Sequence, residues 1–292
     1  MSTETAVAAG EAAASGADWR TPVTLGRTGL RVGRLGLGAS YGAPTAAYEE
    51  AFERGLNYFY LGTRRHPTML AALHALAPRA REKLVVAVQS YTRVGAVLAP
   101  SIWLALRKAR LDYADVLLLG LWNGPVWRGV LDAALRLQEK GLVRHLAISA
   151  HERPAFGAHL AGGAAGLVHV RYNAAHRGAE QEVFPLLPAE RAARPGVLTF
   201  TTTRWGHLLD PARLPAGERV PRGRDPYRFA LTHPDVDAAM CGPASRAQLQ
   251  EALAALEEGP MSPDELAWMR RLGDHVRGQS IADTALKKMI RT

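Results

Sequence analysis

Two stretches of the chain combine residue types suited to holding an anion. Thr201-Thr202-Thr203-Arg204-Trp205-Gly206 offers hydroxyls, backbone amides and a guanidinium, with an indole that would stack on a ring or cover a cavity mouth. Gly242, Ser245, Arg246 and Gln248 stand at the start of a helical pattern, where free amides and the helix dipole favour phosphate. Acid–base candidates are fewer. The 10 histidines are dispersed, without a His-x-x-x-His or His-Glu-x-x-His pair. His66 and His74 are too far apart along one helix to share an ion, so no metal site is expected. His151 follows a strand-like run and is the best spare acid–base group, with a solvated loop histidine as the plainer alternative. The segment from Leu111 to Gly120 (LDYADVLLLG) reads as a helix end, a turn and a strand buried on both faces. It ends on a residue with no side chain, at a strand tip where an enzyme usually places one that does chemistry.

Strand-like and helical runs alternate along the chain and would position these residues. The strand candidates are 34–37, 58–61, 84–88, 116–119, 145–148, 167–172, 197–201 and 238–240. Helical patterns lie between them, clearest over 46–54, 102–109, 130–139 and 248–256. Eight alternations predict a parallel sheet closed on itself, an α/β fold of the (β/α)8 TIM barrel type. Ahead of it, Val23-Thr24-Leu25 and Leu30-Arg31-Val32 flank Gly26-Arg27-Thr28-Gly29, which predicts a β-hairpin capping the bottom of the barrel. Behind it, Ser262-Pro263-Asp264-Glu265 has the form of a capping box and predicts an extra C-terminal helix. The expected organisation is a disordered tail over 1–20, a barrel over 21–278, and a tail or surface helix over 279–292. The Pro- and Arg-rich stretch 213–227 is expected to be a long loop on the ligand face, either a lid or an irregular excursion. Gly36, Gly38 and Gly42 lack a dinucleotide-fold context and are read as tight packing. Asp112 and Asp115 are read as structural.

Composition narrows the function classes. The chain has 292 residues, a formal net charge of +9 and a single cysteine, Cys241. One cysteine excludes an intramolecular disulfide framework and a cysteine-rich metal site, and fits a reducing, cytoplasmic setting. No segment approaches the roughly 20 apolar residues of a membrane span. The basic residues are scattered, without the block or recognition pattern of a nucleic-acid binder. The expected partner is a small-molecule ligand at the C-terminal face of the barrel.

Taken in order along the chain, the motifs resemble the aldo-keto reductase family. Gly26 to Val32 with Leu35-Gly36-Leu37-Gly38 resembles that family's opening hairpin and first strand, and Gly55-Leu56-Asn57-Tyr58-Phe59 its second. Leu111 to Asp115 leads into the fourth, and Gly141 to Ser149 resembles the fifth. Tyr172-Asn173 with Arg177 and Glu180 resembles the sixth-strand region, and Gly242 to Leu253 the final phosphate-binding turn and helix. The resemblance runs from about Thr21 to Val276. It implies a TIM barrel that reduces carbonyls with hydride from NADP(H). In that family a tyrosine, assisted by a lysine, an aspartate and a histidine, delivers the proton.

At those positions this chain departs from the family. The aspartate position is Tyr60, the tyrosine position falls at Arg65, the lysine position is Gln89 and the histidine position is Gly120. Tyr60 is then either a donor polarised by Arg65 or His66, or a packing residue that fills the mouth. Gln89 hydrogen-bonds but transfers no proton at neutral pH, and Gly120 is expected to open room for a larger ligand. Cofactor positions are partly kept. The resemblance assigns Ser149 to the nicotinamide carboxamide, His169 to the place of a glutamine, and Thr201, Arg204 and Trp205 to the pyrophosphate loop. It assigns Gly242, Ser245, Arg246 and Gln248 to the last phosphate site, with Arg246 the candidate for an adenosine 2′-phosphate. Ala150 and Ala252 replace two asparagines of the pattern. Three readings stay open. The first is an NADP(H)-dependent oxidoreductase of altered mechanism acting on an activated acceptor, with residual roles for Tyr60, Arg65, Gln89 and His151. The second is a non-redox enzyme, a cyclase or lyase. The third is a catalytically dead pseudoenzyme that binds a ligand or regulates a protein partner.

Overall fold

A computed structural model describes residues 18–62 and 67–290, with side chains as far as Gln279. Arg65, His66 and the expected tail up to Ala17 lie outside the described residues. Strands β1 (Val23–Thr24) and β2 (Arg31–Val32) pair antiparallel, Val23 opposite Val32, as the predicted hairpin. Eight parallel strands follow. They are β3 (Leu35–Gly38), β4 (Tyr58–Leu61), β5 (Val85–Ser90), β6 (Ala114–Leu119), β7 (Val143–Ala150), β8 (Leu167–Arg171), β9 (Gly196–Phe200) and β10 (Ala238–Cys241). They pair in sequence order, and β10 closes on β3, so the barrel is complete.

Side chains alternate between the two faces of each strand. One face joins helices and strands into the large outer core. The other forms the barrel interior, where Tyr58, Val85, Ala87, Val116, Leu118, Ala147, Leu167, Leu198 and Ala238 pack together. Leu25 and Val32 of the hairpin belong to the same interior cluster and are fully buried, so the hairpin plugs the bottom. Stepping by two toward the C-terminal ends, these inward series arrive at Tyr60, Gln89, Gly120, Ser149, His169 and Phe200. The period of the strand therefore gathers at one mouth residues that are far apart in sequence.

The helices are α1 (Thr45–Glu53), α2 (Pro67–Ala80), α3 (Gly95–Ala109), α4 (Arg128–Glu139), α5 (Ala155–Ala161), α6 (Ala179–Glu182), α7 (Asp225–Thr232), α8 (Arg246–Glu258) and α9 (Pro263–Ile290). Helix α3 starts at Gly95 rather than Ile102. Pro100 sits in its second turn, where a missing N–H removes one bond near the end of the ladder. The expected loop 213–227 is shorter, because Asp225, Pro226 and Tyr227 are the buried first turn of α7. The rest of it is tied down: Trp268 Nε1 donates to Glu218 Oε1 at 3.2 Å, and Arg219 stacks on the Trp268 ring. The capping box of α9 forms as predicted, with Glu265 N to Ser262 Oγ at 3.2 Å and Ser262 N to Glu265 Oε2 at 2.8 Å. Gln279 continues that helix, which runs unbroken to Ile290. No helix among the described residues is long and apolar enough to cross a membrane.

Two buried carboxylates tie the strand starts at the bottom of the barrel. Asp115 Oδ2 accepts from the Val86 amide at 2.8 Å and from Arg81 at 2.9 Å. Asp237 Oδ2 accepts from the Val197 amide at 2.8 Å, and Arg191 donates to its Oδ1 at 2.7 Å. Both are structural, as expected for Asp115. Asp115→Ala leaves a guanidinium and an amide without their partner, which typically costs about 3–5 kcal/mol when the pair is buried. Urea unfolding should show that loss, and a change below about 1 kcal/mol would contradict this role for the carboxylate.

Candidate functional site

The throat of the barrel is polar but uncharged. The Tyr60 hydroxyl donates to Gln89 Oε1 across β4 and β5. Burial, and then the neighbouring Tyr91, hold the Tyr60 phenol well above the ordinary tyrosine range. One layer below, Tyr58 Oη and His169 Nε2 share a hydrogen bond at 3.1 Å. Burial drives the His169 imidazole down to about 4, so it is neutral near pH 7. The His169 ring also lies 6.1 Å from that of Tyr60 and 6.2 Å from that of Tyr58. The four groups thus satisfy one another without an ion, the condition under which polar side chains are tolerated inside.

Around the throat the loops are held by unusual backbone. Leu121, Thr201, Arg204 and Trp205 all have positive φ, between 51° and 59°. That conformation is rare for a β-branched residue such as Thr201 and marks stored strain. Ser149 Oγ accepts from the Leu121 amide at 3.2 Å and keeps its own proton for donation. The three threonine hydroxyls are used within the structure: Thr201 on the Phe200 carbonyl, Thr202 on the Met240 carbonyl, and Thr203 accepting from the Gly206 amide. Arg204 Nη1 lies 2.9 Å from His176 Nε2, and its Nε is buried without a partner. The His151 ring lies 5.9 Å from Phe200, and burial, then Arg171, lower its affinity for a proton.

At the start of α8, Ser245 Oγ caps the helix by accepting from Gln248 N at 3.2 Å, and Gln248 Oε1 accepts from Ala244 N at 2.8 Å. Arg246 is exposed and bidentate to Glu50. Gly242 lies under the Tyr41 ring, 2.8 Å from where a Cβ would stand.

This architecture has known counterparts. The aldo-keto reductase AKR11C1 from Bacillus halodurans in its holo form superposes with a TM-score of 0.72 at 19% identity, over 86% of this chain and 96% of that one. Its apo form gives a TM-score of 0.70 at 20% identity, over 86% and 95%. The fold is that of the aldo-keto reductases. No protein-family model and no curated protein matches the chain.

Within this aldo-keto-reductase-like barrel, the predicted residues separate into three groups. Tyr60, Gln89, Ser149 and His169 converge on the throat, and His151 lies exposed at the rim against Phe200. Thr201, Arg204 and Trp205 form one side of the rim, with the Trp205 indole 57% exposed. Gly242, Ser245, Arg246 and Gln248 form another. One expectation is corrected. Gly120 opens no room: a Cβ there would stand 2.6 Å from both Gln89 Nε2 and the Tyr91 ring, which already fill the space. Sequence reasoning passed over Tyr58, Tyr91, Arg171 and His176. The first and third were recoverable, because Tyr58 and Arg171 lie two residues from Tyr60 and His169 and share their inward face.

The neutral state of His169 has a consequence in acid. Its folded value of about 4 lies below the ordinary 6.5, so between those limits the unfolded chain binds a proton that the folded chain refuses. Its stabilising contribution is complete above pH 6.5 and is lost as pH falls toward 4, a difference on the order of 3 kcal/mol. His169→Gln should flatten the fall in urea midpoint over that window. An unchanged slope would show that the imidazole is not held neutral.

Proposed function

We propose that this chain is a diverged member of the aldo-keto reductase family, one that binds NADP(H) and acts on an activated acceptor rather than an ordinary ketone. The observation that carries the reading is the Tyr60–Gln89 hydrogen bond. The phenol at the throat is committed to a neutral amide, burial weakens it as an acid, and no cation among the described residues activates it. A positioned general acid typically contributes about 10²- to 10⁴-fold, and that factor is missing for an acceptor that must be protonated as it is reduced. An acceptor that is already cationic, such as an iminium, takes hydride without a proton. A quinone or enone can take its proton from water.

The residues present fit a nicotinamide dinucleotide. Bound here, that cofactor supplies hydride. Ser149 retains a hydroxyl proton for the carboxamide, Arg204 carries an unpartnered buried Nε beside the pyrophosphate loop, and Arg246 stands at a helix start. The Arg246–Glu50 pair competes for the last of these, but it is exposed, and such pairs are weak and screened. The Bacillus halodurans reductase has holo and apo structures, which agrees with a dissociable group. His151 stands at the rim as a spare acid–base group, with burial and then Arg171 lowering its affinity for a proton.

That same Arg246–Glu50 pair favours a second reading, a catalytically inert barrel in which the phosphate-binding arginine has become a surface link. NADPH fluorescence separates the two. The first reading expects saturable binding, with Glu50→Gln binding NADPH several-fold more tightly and NADH unchanged. No binding at high micromolar NADPH would remove it. If turnover is found with an iminium or quinone, Tyr60→Phe should retain most of kcat, and a loss of about 10²-fold or more would instead make Tyr60 the proton donor.

A further inference from the structure

The tip of β8 and the loop after β9 hold a group of cations that the throat chemistry does not use. Arg171 ends the inward series of β8, two residues above His169 and in register with Phe200. Arg204 sits in the left-handed turn after β9, 7% exposed, with Nη1 at 3.1 and 2.9 Å from the two ring nitrogens of His176. That ring is positioned by Asn173, whose Oδ1 is 3.3 Å from His176 Nδ1 and whose Nδ2 donates to the Thr201 carbonyl at 2.8 Å. Arg277, exposed on α9, adds its charge to the field at Arg171, His176 and Arg204.

What sets this group apart is the lack of counter-charge. Other buried guanidiniums among the described residues meet carboxylates or carbonyls: Arg81 meets Asp115, Arg194 meets Asp235, Arg228 meets Glu265, and Arg34 donates to the Leu231 and Val236 carbonyls. Arg153, nearby, is paired with Glu182. Among the described residues no carboxylate pairs with Arg171, Arg204 or Arg277, and the Nε atoms of Arg171 and Arg204 are buried without any hydrogen-bond partner. The charges acting on Arg171 and Arg204 are all cationic, from Arg153, Arg171, Arg213 and Arg277. His176 is lowered to about 3 by burial and then by the same arginines. Burying unpaired charge is costly, and burying several of one sign together is costlier still. Such an arrangement is stable when an anion completes it.

We propose that Arg171, His176, Arg204 and Arg277 form a binding site for a phosphate-bearing small molecule, holding the phosphate at the rim so that the rest of the ligand reaches the throat. Guanidinium forks match tetrahedral oxyanions in geometry, and a dianion meets a group of positive charges better than a carboxylate does. The site lies on the β8–β9 side of the mouth and shares only Arg204 with the residues assigned to NADP(H). It does not depend on that cofactor being bound.

The test uses the full chain near neutral pH and inorganic phosphate as the probe, titrated against chloride at matched ionic strength, with thermal unfolding as the readout. Wild type should show a saturable rise in Tm, since a ligand of the folded state stabilises it by mass action. Arg171→Met should bind phosphate about tenfold or more weakly, the loss expected for one charge-assisted contact. In phosphate-free buffer it should melt above wild type, because a repulsive charge has gone. Arg277→Met, on an exposed helix face, should weaken phosphate in the same direction without risk to the fold. Arg246→Met should leave the phosphate response intact while weakening NADPH, which keeps this site distinguishable from the cofactor reading. The proposal is overturned if wild type shows no saturable response, if Arg171→Met and Arg277→Met bind phosphate as wild type does, or if Arg246→Met abolishes the response.

Discussion

A closed barrel of eight parallel strands has an interior just wide enough for side chains to fill it. Every second residue of every strand must point into that space, so each strand's inward series is committed from bottom to mouth. Here the lower positions are Leu, Val and Ala with Tyr58, closed from beneath by Leu25 and Val32 of the hairpin. The upper positions are Tyr60, Gln89, Ser149 and His169. Polar groups at that depth must find partners among themselves, and they do so as neutral pairs, Tyr60 with Gln89 and Tyr58 with His169. The chemistry of the throat follows from this constraint: an acid and a base that satisfy each other are both held away from titration near neutrality.

The rim is the reverse case. A few ångströms of chain separate His169, with no charged partner, from Arg171, surrounded by like charge. The first arrangement has paid its desolvation cost through hydrogen bonds. The second has not, and its backbone carries further cost in the positive φ of Thr201, Arg204 and Trp205. Unrelieved electrostatic and conformational strain at one place, while Arg81, Arg194 and Arg228 meet carboxylates, is the physical signature of a region shaped by something other than stability.

Much of the fold was legible because its signals are local. The turn Gly26 to Gly29 marked the hairpin, Ser262 to Glu265 marked a helix start, and the eight apolar runs marked the strands with errors of a few residues. Helix α3 extends seven residues ahead of the pattern 102–109, because a proline early in a helix, here Pro100, removes a single bond. The site was less legible because its decisive terms are not local. Gly120 looked like space, yet Gln89 of the adjacent strand and Tyr91 just beyond that strand occupy it. Arg246 looked like a phosphate ligand, yet Glu50, 196 residues away, meets it. No spacing rule announces that Arg171 lacks a carboxylate, since that is a property of everything around it.

Helix α9 gives the mouth a second kind of dependence. Arg270, Asp274 and Arg277 lie along one stripe of it, and they engage Glu180, Arg177 and the cationic rim in turn. Gly273 leaves no space for a Cβ against the Ala174 carbonyl, so the helix is seated tightly there. A rotation of that helix by a single residue, about 100°, would turn the whole stripe away together. The helix therefore acts as a keyed shaft, and the bore of the barrel can keep its packing while the outline of its opening is set from outside it.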